Sequence, residues 1–237
     1  MIDLITTISP DRLARVTGLG YLVIILAGIT AEFVVRSGLI VPGDAAATAE
    51  NIMGSQSLFR LGIALDIVML LFDVLLALTL YLLLVSVHPV YALMATFFRL
   101  VHAAVVGAGL LNLVFVLLLF SGSGYLAAWT PDQLNALAMV FLEAHGYAYV
   151  LGLIFFGIHC LVLGYLVFRS GFFPKVLGIL LMVAASGYIV DGFANILLTN
   201  YSDYESIFMI VVFVPAFIGE LSFTLWLLVK GIRKEGS

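Results

Sequence analysis

Long apolar runs separated by short polar segments make up most of the 237-residue chain. Six of these runs reach the length of about 20 residues that a helix needs to cross the hydrocarbon core of a bilayer. We therefore predict an all-α, polytopic membrane protein with a six-helix transmembrane bundle. The predicted spans cover residues 14–36, 58–86, 90–120, 138–168, 175–199 and 207–230.

Prolines mark the start of several predicted helices. Pro89, Pro131 and Pro174 can each occupy a first helical turn, where a backbone N–H has no partner within the helix. The TPDQL segment at 130–134 predicts a helix start capped by Thr130. Pro215 lies inside the sixth predicted span and is expected to kink it.

The connection between the first two spans, residues 37–57, is the longest. Its middle segment, DAAATAENIM at 44–53, predicts a short helix. Such a helix can lie on the membrane surface as a connector, or it can cover an outward-facing cavity as a lid. The connections after the second and fourth spans are short and predict antiparallel hairpins.

Composition supports the membrane assignment. Charged residues are 10% of the chain and hydrophobic residues 64%, whereas a soluble domain has about 25% charged residues. We expect one domain over residues 1–237, with the lipid bilayer as its main surroundings and no nucleic-acid partner, because no basic patch with interleaved aromatics is present. The sequence predicts no oligomeric state.

Basic residues near the span ends predict the orientation. Seven fall on one side and two, Arg36 and Arg60, on the other, so both termini are expected in the cytoplasm. The first span has no clear cleavage site after it and is expected to be retained. The seven are Arg12, Arg15, Arg169, Lys175, Lys230, Arg233 and Lys234.

Five ionisable residues from four spans fall at similar predicted depths, about 10–16 Å from the cytoplasmic edge at 1.5 Å per residue. A charge at such depth costs about 2.5–3.5 kcal/mol on insertion scales, so these side chains should face the protein interior and pair. We expect two of the acids to face Arg99. This inner layer comprises Asp73, Arg99, His102, His159 and Glu220.

A second set of polar residues falls nearer the predicted outer side. Asp66 lies seven residues before Asp73, on the same helix face. Tyr188, Asp191 and Asn195 form an i, i+3, i+7 stripe on the fifth span. This outer layer comprises Glu32, Arg60, Asp66, His145, Tyr188, Asp191 and Asn195.

Four stretches together resemble a bacterial integral membrane family catalogued as domain of unknown function 4386. They read RLARVTGLGYLVII, VPGDAAATAENI, FFGIHCLVLGYLVFRSGFFPKVLGILLMVAASGYIVDGFAN and IGELSFTLWLLVKG. The likeness runs along nearly the whole chain. It implies a small bacterial membrane protein and supplies no catalytic residue.

Three functions compete. Carboxylates near histidines suit proton relay, which favours a protein that binds or transports a small molecule or ion. The alternative is a non-catalytic membrane scaffold or sensor subunit, in which the polar layers tie helices together.

The third function is an intramembrane metal-dependent enzyme acting on lipid. Its candidate ligands are His159, Asp73 and Glu220, and a haem held by His102 and His159 is a further alternative. No metal motif such as HExxH is present and Arg99 would repel a cation, so no metal or cofactor is predicted. The sequence leans against an enzyme without deciding the point.

Overall fold

The computed structural model describes residues 9–232. The fold is 87% helical, and the described residues contain no strand. Arg233 and Lys234, two of the basic residues used to predict the orientation, lie outside this range. The helices are α1 (Pro10–Leu39), α2 (Ala45–Gly54), α3 (Gln56–Leu84), α4 (Pro89–Leu119), α5 (Pro131–Arg169), α6 (Lys175–Leu197) and α7 (Glu205–Val229).

Within residues 9–232, six helices are long and apolar enough to cross a membrane, namely all but α2. The predicted fold class is thereby confirmed: the chain is an all-α, multi-pass membrane protein. The predicted spans match these helices to within a few residues at most ends. The largest difference is at the start of α5, which begins seven residues earlier than the predicted span.

Local capping explains where two helices begin. The N–H of Gln133 donates to the Thr130 hydroxyl (3.3 Å), and the Gln133 side chain accepts from the Thr130 N–H (2.9 Å). This reciprocal capping starts α5 at Pro131 and confirms Thr130 as the cap. Asp44 caps α2 by accepting from the Ala47 N–H at 2.9 Å, so the predicted short helix of the long connection is present.

Two backbone irregularities fall inside membrane helices. In α1 the hydrogen-bond pattern widens to that of a π-helix over Thr30–Arg36. The wider turn changes the positions of Glu32 and Arg36 around the helix axis from those of a regular α-helix. In α7, Pro215 lies inside the helix, which continues on both sides of it.

The contacts of the chain group into two compact units. Unit 1 contains the described residues up to Val23, Phe72–Ala103 and the described residues from Val150 onward; unit 2 contains Ile24–Leu71 and Ala104–Tyr149. All five inner-layer residues belong to unit 1. Of the outer layer, Glu32, Arg60, Asp66 and His145 belong to unit 2, and Tyr188, Asp191 and Asn195 to unit 1.

Unit 1 contains a very close helix approach between α5 and α6. A Cβ atom added to Gly164 would lie 2.7 Å from the Gly178 carbonyl oxygen, and one added to Gly178 would lie 2.5 Å from that of Gly164. Small residues allow such contacts between membrane helices. Nearby, Phe156, Cys160 and Ala185 form a buried apolar cluster.

Unit 2 has its own apolar core. It is built from α1, α2, α3, α4 and α5, with Phe59, Ile52 and Val35 among its most buried side chains. A Cβ atom added to Gly109 would lie 2.6 Å from Cβ of Ala148, so α4 and α5 approach closely in this unit as well.

Candidate functional site

Arg99, on α4, is fully buried and is bonded to an acid of the neighbouring helix α3. Its Nη2 donates to Oδ1 of Asp73 at 2.6 Å. The two side chains are 1% and 2% exposed. A buried charge of either sign is tolerated only when it is paired, so each residue accounts for the presence of the other. The predicted pairing of Arg99 with Asp73 is present.

The second side chain that bonds Arg99 is that of His159, on α5. Nδ1 of His159 lies 2.8 Å from the carbonyl oxygen of Ala95. A carbonyl oxygen only accepts, so Nδ1 carries the hydrogen. In the neutral ring Nε2 then carries a lone pair, and this atom lies 3.0 Å from Nη1 of Arg99. His159 therefore serves as an acceptor for the guanidinium.

His102, one turn from Arg99 on α4, faces the other oxygen of Asp73. Its Nδ1 lies 2.9 Å from the Gly152 carbonyl oxygen and donates to it. Its Nε2 lies 3.8 Å from Oδ2 of Asp73, which is beyond the range of a hydrogen bond. A proton added to Nε2 would attract the carboxylate, and a charge-assisted hydrogen bond would form once the ring and the carboxylate move closer together.

Aromatic rings enclose the guanidinium of Arg99. Its Cζ lies 5.1 Å from the ring centroid of Tyr21 and 5.3 Å from that of Phe156, both within cation–π range. The Tyr21 hydroxyl also accepts from Nη1 at 3.3 Å. Nε of Arg99 is buried and has no hydrogen-bond partner among the described residues. Nε is therefore an N–H donor that can bond a further acceptor.

Glu220 lies close enough to Arg99 for their charges to interact, but it makes no direct hydrogen bond to the guanidinium. Oε1 of Glu220 accepts from the Tyr188 hydroxyl at 2.6 Å. Tyr188 was assigned to the outer layer from its depth, whereas its hydroxyl bonds an inner-layer acid. Helix rotation explains the difference, because depth along a helix does not determine which neighbour a side chain faces.

Three of the four histidines make the same kind of contact between α4 and α5. In each, Nδ1 faces the backbone carbonyl of a residue with little or no side chain on the other helix. From one pair to the next, the residue number rises by seven on α4 and falls by seven on α5. This is expected for antiparallel helices with heptad-like packing. The pairs are His159 with Ala95, His102 with Gly152, and His145 with Gly109.

Unit 2 has a separate buried ion pair. Arg36 donates to Asp66 through Nη1 at 2.6 Å and Nη2 at 3.4 Å, and to Glu32 through Nε at 2.7 Å. Asp66 is 2% exposed, whereas the Glu32 side chain is 55% exposed. His145 is buried in the same unit, and its Nδ1 lies 3.3 Å from the Gly109 carbonyl oxygen.

The remaining outer-layer residues are dispersed. Asp191 accepts from the Tyr201 hydroxyl at 2.7 Å, which ties α6 to the short 3₁₀ turn Tyr201–Asp203. Asn195 is half-buried on α6, and Arg60 is exposed on α3. Asp191 and Asn195 belong to unit 1, and Arg60 belongs to unit 2 with Asp66.

Several functional side chains were not found from the sequence. Tyr21 and Phe156 look like ordinary apolar-face residues, and nothing in their spacing marks them. Arg36 was used only as a basic residue on the outer side, yet it is the partner of Asp66. Its spacing of four residues from Glu32 was the available signal, because i, i+4 residues meet on a helix.

The arrangement does not resemble a metal centre. Among the described residues, no group of three or more His, Cys, Asp or Glu side chains is placed to hold a metal ion. Nε2 of His159 faces a guanidinium, and Glu220 bonds Tyr188, so the three candidate ligands do not converge. Nε2 of His102 faces Asp73, which leaves neither ring disposed toward a haem iron.

Comparison with known proteins gives a family but no activity. A stretch of 81 residues is 43% identical to an uncharacterized protein of Archaeoglobus fulgidus. That stretch is 34% of this chain and 44% of the relative, so the chain spans less than half of that protein's length. No solved structure matches the chain. A family model described as "Domain of unknown function (DUF4386)" matches residues 16–231. The chain therefore belongs to the DUF4386 family, as the resemblance of its motifs predicted.

Proposed function

We propose that the protein binds a proton at the Asp73–His102 pair and uses it to bind or transport a small molecule or ion in the membrane. The observation that carries this proposal is the 3.8 Å separation of His102 Nε2 from Asp73 Oδ2. The other imidazole nitrogen is held by Gly152. An added proton therefore has one place to go on this ring, directly opposite a carboxylate oxygen.

The surroundings of the pair support reversible protonation. Oδ1 of Asp73 accepts from Arg99, so Oδ2 is the oxygen that can bond a protonated His102. The titratable groups around the pair come from five helices and include one cation, Arg99. They are Tyr21 on α1, Arg99 on α4, His159 and Cys160 on α5, Tyr188 on α6 and Glu220 on α7.

Two features support a ligand of small size. Nε of Arg99 has no hydrogen-bond partner in the described residues, and an oxygen acceptor on a ligand or a water would satisfy it. A narrow cavity of about 10 Å³, with room for about one water molecule, adjoins His159 and is bounded by α3, α4 and α5 near the 85–88 turn. Its polar lining comes from Tyr81, Thr96 and His159. No metal or haem is needed for this function.

We place the protein in the bacterial cytoplasmic membrane with both termini in the cytoplasm. Basic residues support this orientation because they concentrate at cytoplasmic span ends. Arg12 and Arg15 lie at the start of α1, Arg169 ends α5, and Lys175 begins α6. The cavity next to His159 then lies nearer the cytoplasmic ends of its helices.

Infrared difference spectroscopy tests the proton site directly. Protein in lipid bilayers is switched from alkaline to acidic buffer, and the bands of the carboxyl group and of isotope-labelled histidine are recorded. We expect Asp73→Asn and His102→Gln each to remove the same set of bands. Asparagine keeps an oxygen acceptor for Arg99, so the ion-pair partner is not left without a bond.

Asp66→Asn is the matched control. Asp66 lies on the same helix, is equally buried at 2%, and also pairs with an arginine. Its substitution should leave the bands assigned to Asp73 and His102 in place. Spectra that do not change in either Asp73→Asn or His102→Gln would refute the proton site.

A scaffold or sensor role is the second candidate. The near-complete burial of Arg99 and Asp73 favours it, because a buried ion pair can have the sole role of holding α3 and α4 together. It predicts that substitutions in the cluster lower thermal stability. It also predicts that the wild type shows no infrared bands from protonation of Asp73 or His102. The same two measurements therefore separate the candidates.

A further inference from the structure

A groove on the surface of unit 1 runs between α4, α5 and α6. Its volume is about 410 Å³, within the range of about 300–1,000 Å³ that is usual for small-molecule sites. Three of its side chains, Tyr91, Leu161 and Tyr165, are 37%, 41% and 40% exposed, so the groove is accessible from the bilayer. Methionines adapt to irregular partners, and this surface suits a flexible hydrocarbon chain. The lining side chains are Tyr91, Met94, Leu161, Val162, Tyr165 and Met182.

The groove lies at the depth of one leaflet. Tyr91 is two residues from the start of α4, and Leu161 is eight residues from the end of α5. At 1.5 Å per residue, the lining begins about 3 Å from the helix ends and extends to about 12 Å. One leaflet contributes about 15 Å of hydrocarbon, half of the bilayer core. The groove therefore has the depth of the part of an acyl chain nearest the headgroup.

Aromatic rings form the shallow end of the groove. The ring centroid of Tyr91 lies 4.3 Å from that of His88, in a stacked arrangement, and 5.4 Å from that of Tyr165, edge to face. Tyrosines are enriched at the membrane interface, where the ring lies against hydrocarbon and the hydroxyl reaches the headgroups. This end of the groove is thus suited to the level of the lipid headgroups.

Two basic side chains lie beyond the shallow end, on the same helix faces. Arg169 is one turn after Tyr165 on α5, and Lys175 is two turns before Met182 on α6; residues at i, i+4 and i, i+7 share a helix face. Nζ of Lys175 lies 5.4 Å from the ring centroid of Phe168, which brings this cation toward α5. Both basic residues are exposed, and neither forms an ion pair with another described residue.

The segments that form this region carry positive charge and no acid. Residues 85–98 and 161–182 contain Arg169, Lys175 and His88 but no Asp or Glu. Basic pockets between membrane helices on the cytoplasmic side bind anionic lipid headgroups. The charge at the mouth of the groove is therefore complementary to a phosphate.

We propose that this groove binds one anionic phospholipid of the cytoplasmic leaflet. An acyl chain lies against Met94, Leu161 and Met182, and the phosphate group bonds Arg169 and Lys175. None of these five residues belongs to the inner polar layer, so the lipid site does not depend on the proposed function.

Native mass spectrometry of the full chain in a mild detergent tests the lipid site. Phosphatidylglycerol and phosphatidylcholine are titrated separately, and the dissociation constant of the first bound lipid is recorded for each. We expect phosphatidylglycerol to bind about tenfold more tightly, because two basic residues face its phosphate without a competing acid. Arg169→Gln/Lys175→Gln should abolish that preference. Met182→Trp should fill the groove and weaken the binding of both lipids.

Each variant has a matched control. Arg12→Gln/Arg15→Gln removes two exposed basic residues at the start of α1, on the same predicted side of the membrane. Val183→Trp adds the same bulk one residue further along α6, where Val183 is 51% exposed and does not line the groove. Neither control should change the first dissociation constant of either lipid.

The outcomes decide both parts of the site. Equal binding of the two lipids to the wild type, or a preference lost as fully in Arg12→Gln/Arg15→Gln as in Arg169→Gln/Lys175→Gln, overturns the headgroup site. Lipid binding by Met182→Trp as tight as that by Val183→Trp overturns the groove. A wild-type dimer that Met182→Trp dissociates would show that a second copy of the chain, and not a lipid, occupies it. The charge variant alters only exposed side chains, so it tests the site independently of whether Met182→Trp folds.

Discussion

Nε2 of His159 lies 3.0 Å from Nη1 of Arg99, so a histidine accepts a hydrogen bond from a buried arginine. The Ala95 carbonyl makes this possible by holding the hydrogen on Nδ1. Asp73 supplies the counter-charge, and His159 and the Tyr21 hydroxyl are neutral acceptors. Three of the five guanidinium N–H groups therefore have partners without a second negative charge. The cluster can therefore keep its other carboxylate, Glu220, for a different bond.

Arg99→Met should destabilise the protein strongly. It leaves Asp73 buried without its cation, and breaking a buried pair from one side costs about 3–5 kcal/mol. The measurement is the free energy of unfolding, or the thermal midpoint, in a mild detergent. The double variant Arg99→Met/Asp73→Leu should recover most of the loss, because two apolar side chains leave no charge unpaired. A double variant as unstable as the single one would show that the ion pair itself is not what Arg99 stabilises.

The tautomers of the histidines are a second prediction. Nδ1 of His102, His145 and His159 each faces a backbone carbonyl oxygen, so each neutral ring should carry its hydrogen on Nδ1. Nitrogen-15 NMR of histidine-labelled protein distinguishes the two tautomers. His88 is the internal contrast, because its Nδ1 accepts from the Tyr91 N–H at 3.3 Å. An Nε2–H tautomer at His159 would contradict the bond with Arg99.

The sequence predicted the helices well but predicted their partners only in part. Span length and depth follow from apolar runs and the rise per residue, which is why the Asp73–Arg99 pair could be anticipated. Depth gives no information on how each helix is rotated about its axis. Glu220 was therefore paired with Arg99, whereas it bonds Tyr188. Arg36 was counted only as a basic residue on the outer side, because the π-helical segment Thr30–Arg36 that contains it left no mark in the sequence.

Tyr188→Phe should change the environment of Glu220 and little else. The variant removes the 2.6 Å hydrogen bond while keeping the ring that packs on Phe156. A hydrogen bond to a charged group contributes about 1.5–3 kcal/mol, so a modest loss of stability is expected. The infrared band of the Glu220 carboxyl should shift, and the bands of Asp73 and His102 should not. A shift in all three would show that the Tyr188–Glu220 hydrogen bond is coupled to the Asp73–His102 pair.

The ion pair of unit 2 should be structural. Asp66→Asn leaves Arg36 with the bond to Glu32, so a smaller loss of stability is expected than for Arg99→Met. Arg36→Met should destabilise more, because it leaves the buried carboxylate of Asp66 without a cation. Neither variant should alter the proton bands. A loss of those bands in Arg36→Met would mean that unit 2 takes part in proton binding.

Membrane topology gives the last prediction. Cys160 is the chain's only cysteine and is buried, so Cys160→Ser provides a cysteine-free background. Ser86 is exposed in the turn between α3 and α4, and Ser202 is exposed in the 3₁₀ turn between α6 and α7. The predicted orientation places Ser86 in the cytoplasm and Ser202 outside, because basic residues concentrate at cytoplasmic span ends. In intact spheroplasts, a membrane-impermeant maleimide should label Ser202→Cys and not Ser86→Cys, whereas permeabilised cells should label both. The reverse pattern would invert the topology and place the cavity beside His159 on the outer side, so that protons would reach the cluster from outside the cell.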